Sequence, residues 1–337
     1  MEVALDISPI KDENKVRGVG TYTQNLLESL QKVRGIRIKP FTGEAPTADI
    51  VHYPYFDLFF RTLRANNKTK FVVTVHDVIP LIFPSRFKIG PKGKINHYFQ
   101  KQLLKSASAI ICDSQTSKLD IAQKLNYPKE SIYRIYLATS ANFKPVHDEA
   151  KLAVTKNKYQ LPREFILYVG DINWNKNIPN LLRAVKLSGT NLVAVGKAIA
   201  DNNLLETQEI NHLIKQLDLE NKVIKTGFIE EKNLINLYNL SLATLLPSYY
   251  EGFGLTVLES FACGTPVICS NNSSLAEIAK DSAIFCNPDS PEDISAKIIS
   301  CIQSDKQKVS KKLIQKASKF SWKKVAEETL EVYKKVV

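Results

Sequence analysis

No run of apolar residues approaches the ~20 needed to cross a bilayer as a helix, so no membrane-spanning helix is expected. Cysteine is scarce. Cys112, Cys263, Cys269, Cys286 and Cys301 form an odd set without a C-x-x-C pair, which argues against a disulfide scaffold or a zinc site and suits buried thiols in a reducing cytosol. There is no D-x-D motif and no His/Asp cluster at metal-ligand spacing, so magnesium or manganese has no evident seat and no metal is expected. A Walker lysine loop is also missing, which disfavours a kinase or ATPase. The opening MEVALDISPI lacks a basic region and a small-residue cleavage site, and reads as a first strand instead of a signal peptide.

One stretch lacks acid. Between Asp77 and Asp113 there is no Asp or Glu, while Arg86, Lys88, Lys92, Lys94, Lys101 and Lys105 alternate with Phe83, Phe87, Ile89, Tyr98 and Phe99. The formal charge of +12 is concentrated on the same side, residues 1–150 holding 22 Lys/Arg against 14 Asp/Glu. Two readings stand for residues 86–105. They form a surface for anionic lipid or an anionic acceptor, or an ordinary solvated helix with its apolar stripe packed inward. Nucleic acid is not an expected partner, because no recognition motif accompanies the charge. Nothing in the sequence speaks to oligomeric state.

What is present is regular. At 337 residues, 44% hydrophobic and 24% charged, the chain suits two globular domains. Short apolar strands alternate with amphipathic helices throughout, which predicts α/β architecture with parallel sheets covered on both faces. Strands are expected at Val3–Ser8, Asp49–Tyr53, Phe71–Val75, Ala109–Cys112 and Ile132–Tyr136, with a helix at Tyr22–Val33. The pattern lapses at Ala138–Leu161, the expected linker. It resumes with Phe165–Val169, Leu192–Val195, Val223–Thr226, Ala243–Leu246, Val267–Cys269 and Ala283–Phe285. Two Rossmann-like, doubly wound domains follow, at 1–150 and 151–320, with a helix left over at 321–337.

Such sheets bind ligands beyond the carboxyl ends of their strands, and four places there stand out. After Ala243–Leu246 comes Glu251-Gly252-Phe253-Gly254-Leu255-Thr256-Val257-Leu258-Glu259, opening a helix that Gly264 and Pro266 stop. Its free N–H groups and dipole suit a diphosphate. Glu251 precedes the helix and Glu259 lies on its second turn. After Phe165–Val169 runs Gly170-Asp171-Ile172-Asn173-Trp174-Asn175-Lys176-Asn177, where Lys176 is placed to neutralise a departing phosphate. His76-Asp77 ends a first-half strand, and Gly18-Val19-Gly20 follows Arg17 between the first strand and helix.

The run E-G-F-G-L-x-x-L-E-S-x-A-C-G-x-P-V resembles the donor signature of glycosyltransferase family four, whose hallmark is two glutamates separated by seven residues. The resemblance covers nearly the whole chain. It implies a GT-B fold, two Rossmann-like domains facing a cleft with the last helix crossing back to the first, and a retaining sugar transfer. It assigns the transferred sugar to Glu251 and the ribose to Glu259, with Gly252 to Thr256 along the diphosphate. The Lys176 loop resembles the family's G-x-x-x-P-R-K-N, with Asn175 in place of arginine. The H-D-x-I-P-L-x-F-P run resembles a segment whose histidine touches the donor sugar, which falls on His76. Gly18 and Gly20 match a loop that closes over the donor, and Gly227-Phe228 lies near the base. Cys112-Asp113-Ser114 with Lys118 and Phe320-Ser321-Trp322 also match. Lys280 departs from the pattern, standing where many relatives have glycine.

The expected function is therefore transfer of a hexose from a nucleotide diphosphate sugar, GDP-mannose mildly favoured, to a glycan or lipid-linked acceptor. No cofactor is expected beyond that co-substrate. The expected location is cytoplasmic or peripheral at the inner face of a membrane. The rival readings are an epimerase or hydrolase on the same fold, and a catalytically silent sugar-nucleotide-binding subunit, which Asn175 favours.

Overall fold

In a computed structural model, which describes residues 1–16, 18–64 and 69–337, the chain divides into two compact units. Unit 1 comprises Met1–Ala138 with Phe320–Val337, and unit 2 comprises Thr139–Lys319. Arg17 lies outside the described residues.

Unit 1 holds β1 (Glu2–Asp6), β2 (Arg37–Phe41), β3 (Ile50–Tyr53), β4 (Phe71–Thr74), β5 (Ala109–Cys112) and β6 (Ile132–Arg134). They form one parallel sheet in the order β2-β1-β3-β4-β5-β6. Every residue of β3, β4 and β5 is buried, the mark of strands covered on both faces. Strand β2 escapes sequence reading because it is an edge. Its R-I-K-P-F buries Phe41 alone, and Arg37 and Lys39 reach out to Glu2.

Helix α1 (Gly18–Leu30) starts four residues earlier than its apolar periodicity suggests. Gly18 and Gly20, expected on a loop, instead form its first turn. At Gly20 a side chain is sterically forbidden, since a Cβ would stand 2.3 Å from the Asn14 carbonyl oxygen. Helix α2 (Pro91–Leu104) bears on the two readings of residues 86–105 and goes against the second. Its apolar stripe is not packed inward. The buried positions are Asn96, Gln100 and Leu104, whereas Ile95, Tyr98 and Phe99 are exposed. Helix α3 (Gln115–Leu125) is capped by Ser114, whose hydroxyl accepts from Ser117 N.

Unit 2 holds β7 (Ile166–Val169), β8 (Leu192–Val195), β9 (Val223–Gly227), β10 (Ala243–Leu246), β11 (Val267–Ser270) and β12 (Ile284–Cys286). The sheet is parallel, in the order β12-β11-β10-β7-β8-β9. Counted from β7 this is the 3-2-1-4-5-6 winding, with its switch point between β7 and β10. Helix α4 (Glu149–Lys158) occupies part of the expected linker. Its hold is polar, with Asp148 capping it and Asn236 donating to Thr155 Oγ1 at 2.8 Å, which is why no apolar periodicity announces it. Helices α5 (Ile178–Ser188) and α6 (Leu255–Ala262) follow strands β7 and β10.

Helix α7 (Trp322–Val336) belongs to unit 1. Tyr333 Oη and His52 Nδ1 share a buried hydrogen bond of 2.6 Å, and Lys70 Nζ donates to the Val336 carbonyl at 2.8 Å. Tyr22 stacks obliquely on Trp322 at 5.9 Å. All five cysteines are buried and free. Among the described residues no helix is long and apolar enough to cross a membrane.

Candidate functional site

In unit 2 the switch point brings the ends of β7 and β10 together, and with them two segments 75 residues apart. After β7 the chain makes one 3-10 turn, Trp174–Lys176, and turns left-handed at Asn177, φ 56°. Asn177 is buried and its amide donates to the carbonyls of Pro247 and Pro288 at 2.9 and 2.7 Å. These bonds fix where Lys176 starts. Its Nζ lies 2.8 Å from both carboxylate oxygens of Glu251. Glu251 also accepts from Ser248 Oγ at 2.7 Å, while its main chain is held by Ser273 and Ser274. A buried ion pair repays its desolvation only with such geometry and satisfied neighbours.

Asn175, in the arginine position, does not extend outward. It is buried, with its amide on the Tyr250 carbonyl at 2.9 Å and its own carbonyl accepting from Tyr249 N. The Trp174 and Tyr249 rings stack at 4.9 Å. Asn175 thus ties the Lys176 turn to the Glu251 loop.

Helix α6 begins at Gly254, whose φ of 95° admits few residues with a side chain. No side chain caps it; Val257 N turns back to the Gly254 carbonyl at 2.9 Å, and the amides of Leu255 and Thr256 stand at the open N-terminus of the helix. Phe253 is buried beneath the entry, and Leu255 and Thr256 are half-buried. Gly264, φ 72°, ends the helix where expected. Glu259, one turn on, accepts from Tyr238 Oη at 2.6 Å. Burial pushes its carboxyl up to about 7, against the pull of the Tyr238 hydroxyl.

Beside this, β7, β8 and β9 end in Gly170, Gly196 and Gly227. Gly170 N donates to Val195 O and Gly196 N to Gly227 O. A Cβ on Gly196 would lie 2.1 Å from the Gly170 carbonyl oxygen, so these strand ends meet backbone to backbone. The neighbouring Phe228 is 57% exposed.

In unit 1 the corresponding strand end carries His76. Its Nδ1 meets Asp113 Oδ2 at 2.6 Å, its ring packs edge-on to Tyr22 at 4.7 Å, and Ser117 Oγ donates to its carbonyl. Burial opposes the imidazolium most strongly, but the Asp113 carboxylate, assisted by Asp77 and the Pro54 carbonyl, outweighs it and holds His76 above its ordinary value. Burial likewise favours a neutral Asp113; at 2.6 Å the attraction decides for the histidine. His76 Nε2 is buried with no hydrogen bond of acceptable geometry among the described residues.

Lys176 and Glu251 are thus brought into contact, with Asn175 and the start of α6 around them. Gly227 and Phe228 end the third strand of the same sheet, and Gly18, Gly20 and His76 lie in the other unit. Sequence reading missed Ser248, which donates to Glu251, and the role of Asp113. Asp113 carried a signal, a carboxylate at the end of the strand beside His76's, but only strand order makes them neighbours. Among the described residues no group of three or more His, Cys, Asp or Glu could hold a metal ion.

Comparison with known proteins identifies a family. The family described as Glycosyl transferases group 1 matches residues 153–320, and Glycosyltransferase Family 4 matches residues 44–141. The chain is similar to O-antigen chain mannosyltransferase B of Escherichia coli, 31% identical over 292 residues, which is 85% of this chain and 74% of that one. It is 27% identical over 274 residues to the Escherichia coli serotype-specific mannosyltransferase WbdA, spanning 80% of this chain but only 34% of that longer protein. The crystal structure of Anabaena HepE in complex with UDP and glucose has a similar fold, with a TM-score of 0.73 at 17% identity over 98% of both chains.

Proposed function

The chain belongs to the glycosyl transferases group 1 family and is a glycosyltransferase of GT-B fold, and from that premise we propose a donor, a stereochemistry and a place of action. It transfers mannose from GDP-mannose to a hydroxyl of a glycan or lipid-linked acceptor, with retention at the anomeric carbon and without a metal ion. Similarity to a mannosyltransferase supports the sugar, and the UDP held by a structural relative supports a nucleotide diphosphate leaving group.

The observation that carries the reading is Lys176 on Glu251 beside the uncapped start of α6. A departing diphosphate needs preorganised positive charge, and here a lysine and a row of helix amides supply it. On donor binding the lysine exchanges its carboxylate partner for a phosphate oxygen, which frees Glu251 for the sugar hydroxyls. Glu259 takes the ribose. The acceptor hydroxyl attacks from the face that the diphosphate leaves. The buried free thiols suit a reducing cytoplasm, and the acid-free basic segment 86–105 suits the inner face of a membrane there.

The test is a panel of GDP-, UDP-, ADP- and dTDP-sugars, read by thermal shift and then by nucleotide release with and without acceptor. We expect GDP-mannose to stabilise the protein and release of GDP to require an acceptor. Lys176→Ala should lower turnover by roughly 10²–10³-fold. Acceptor-independent release would favour a hydrolase, and a preference for a UDP-sugar would overturn the donor assignment.

A further inference from the structure

The outward stripe of α2 is the feature of unit 1 that the sugar-transfer site does not use. The inward face of this helix is occupied by polar side chains serving a loop. Asn96 donates to the Phe59 carbonyl at 2.9 Å, His97 Nδ1 meets the Leu58 carbonyl at 3.1 Å, and Gln100 donates to Thr62 Oγ1 at 3.2 Å. Those loop groups need partners wherever they are shielded from water, so Asn96, His97 and Gln100 face them and the apolar residues are turned out. Ile95 is 56% exposed, Tyr98 61% and Phe99 49%, and on the loop itself Phe60 is 70% exposed.

Arg61, next to Phe60 in the chain, ties the loop to the helix. Arg61 Nε donates to Asn96 Oδ1 at 3.2 Å and its guanidinium lies 5.4 Å from the Phe99 ring centre. Tyr98 and Phe99 pack edge to face at 5.7 Å. Around it Lys92, Lys94 and Lys105 are exposed, and none pairs with a carboxylate among the described residues. No acidic residue occurs between Asp77 and Asp113 to balance them.

Large apolar side chains held in water beside unbalanced lysines match one environment, the headgroup boundary of an anionic bilayer. There aromatic rings enter the acyl boundary, and lysine stems extend their charge back to the phosphates. A second copy of the chain is a poor occupant, because it would set this positive surface against itself. We infer that the Ile95–Tyr98–Phe99 stripe of α2, with Phe60 and the flanking lysines, is the docking face of this protein on anionic membrane. The inference deepens the inner-face placement proposed above by naming its surface and its lipid requirement.

The experiment is co-sedimentation of the full chain with vesicles of phosphatidylcholine alone or with one part in three of phosphatidylglycerol. Donor turnover on a water-soluble acceptor is followed in parallel. Binding is expected at least tenfold stronger to the anionic vesicles, and it should weaken as added salt shortens the screening length. Phe60→Ser with Tyr98→Ser should abolish it, and Lys92→Gln with Lys94→Gln should weaken it on the order of tenfold. All four positions are exposed, so thermal unfolding and soluble-acceptor turnover should match the parent. Equal, negligible binding to both vesicles, or variants that bind like the parent, would overturn the docking face. So would a dimer that the Phe60 and Tyr98 changes dissolve. Loss of turnover with vesicle binding intact would count against the donor reading alone.

Discussion

Glu259 shows how a residue legible from spacing acquires a property that spacing cannot carry. Its place, with seven residues between it and Glu251, marks it in the sequence, but its charge state is set by burial beside Tyr238, which raises its carboxyl to about 7. The folded state therefore favours the neutral acid. Stability from that form is complete below the unfolded value near 4.5 and is lost as pH rises through about 7. Glu259→Gln keeps an acceptor for Tyr238 and removes the titration. It should stabilise the protein by on the order of 2 kcal/mol at pH 8 and not at pH 4.5, as urea unfolding at the two pH values would show. If the carboxylate accepts ribose hydroxyls, nucleotide affinity of the parent should also rise between pH 6 and 8, and the glutamine variant should flatten that rise. A pH-independent stability difference would mean that Glu259 is ionised in the folded protein. His76 is the parallel case. The sequence marks it at a strand end, but Asp113, which fixes its tautomer, is 37 residues away and becomes a neighbour only through the β4–β5 pairing.

At the scale of elements, the central strands and α6 were readable because each is continuously apolar or periodic and bounded by turn residues. Strand β2 and helix α4 were not, since edge and polar contacts hold them and leave no pattern of burial. Helix α2 misleads for the opposite reason. It has an apolar stripe, but the loop beside it supplies backbone partners that only polar residues satisfy. Lys280 is a more tractable departure. It follows the helix Ser273–Ala279 with φ 42° and ψ −128°, a conformation costly for a residue with a side chain. Glycine, which the resembled pattern has at this position, adopts such a conformation without that cost. Lys280→Gly should raise stability by about 1 kcal/mol, read as a higher denaturation midpoint with an unchanged slope. Destabilisation would show that the lysine side chain makes a contact worth more than the strain.

At the scale of the molecule, the last helix is separated in sequence from the sheet it completes. Val325, Ala326, Val332 and Tyr333 of α7 are buried in unit 1, and Tyr333 satisfies His52, whose own burial lowers its pKa to about 3 and keeps it neutral. Each fully buried large aliphatic or aromatic side chain contributes roughly 1.5–3 kcal/mol, so removing residues 320–337 should cost unit 1 an amount comparable with the whole stability of a domain. Calorimetry of the truncated chain should show one unfolding transition lost or shifted far down, and a transition for unit 2 little changed. Retention of both would mean that α7 is dispensable to unit 1.

The sequence by itself determined the alternation of strand and helix, the two-sheet architecture and the donor motif. These rest on local periodicity and on residues adjacent in the chain. Only the tertiary structure decided that Lys176 is seated on Glu251, that Asp113 orients His76, that α2 turns its rings outward and that α7 completes the first sheet. Each of those depends on contacts between distant segments. Parallel winding brings strand ends together regardless of their separation in sequence, and the backbone groups left at those ends decide which side chains face in.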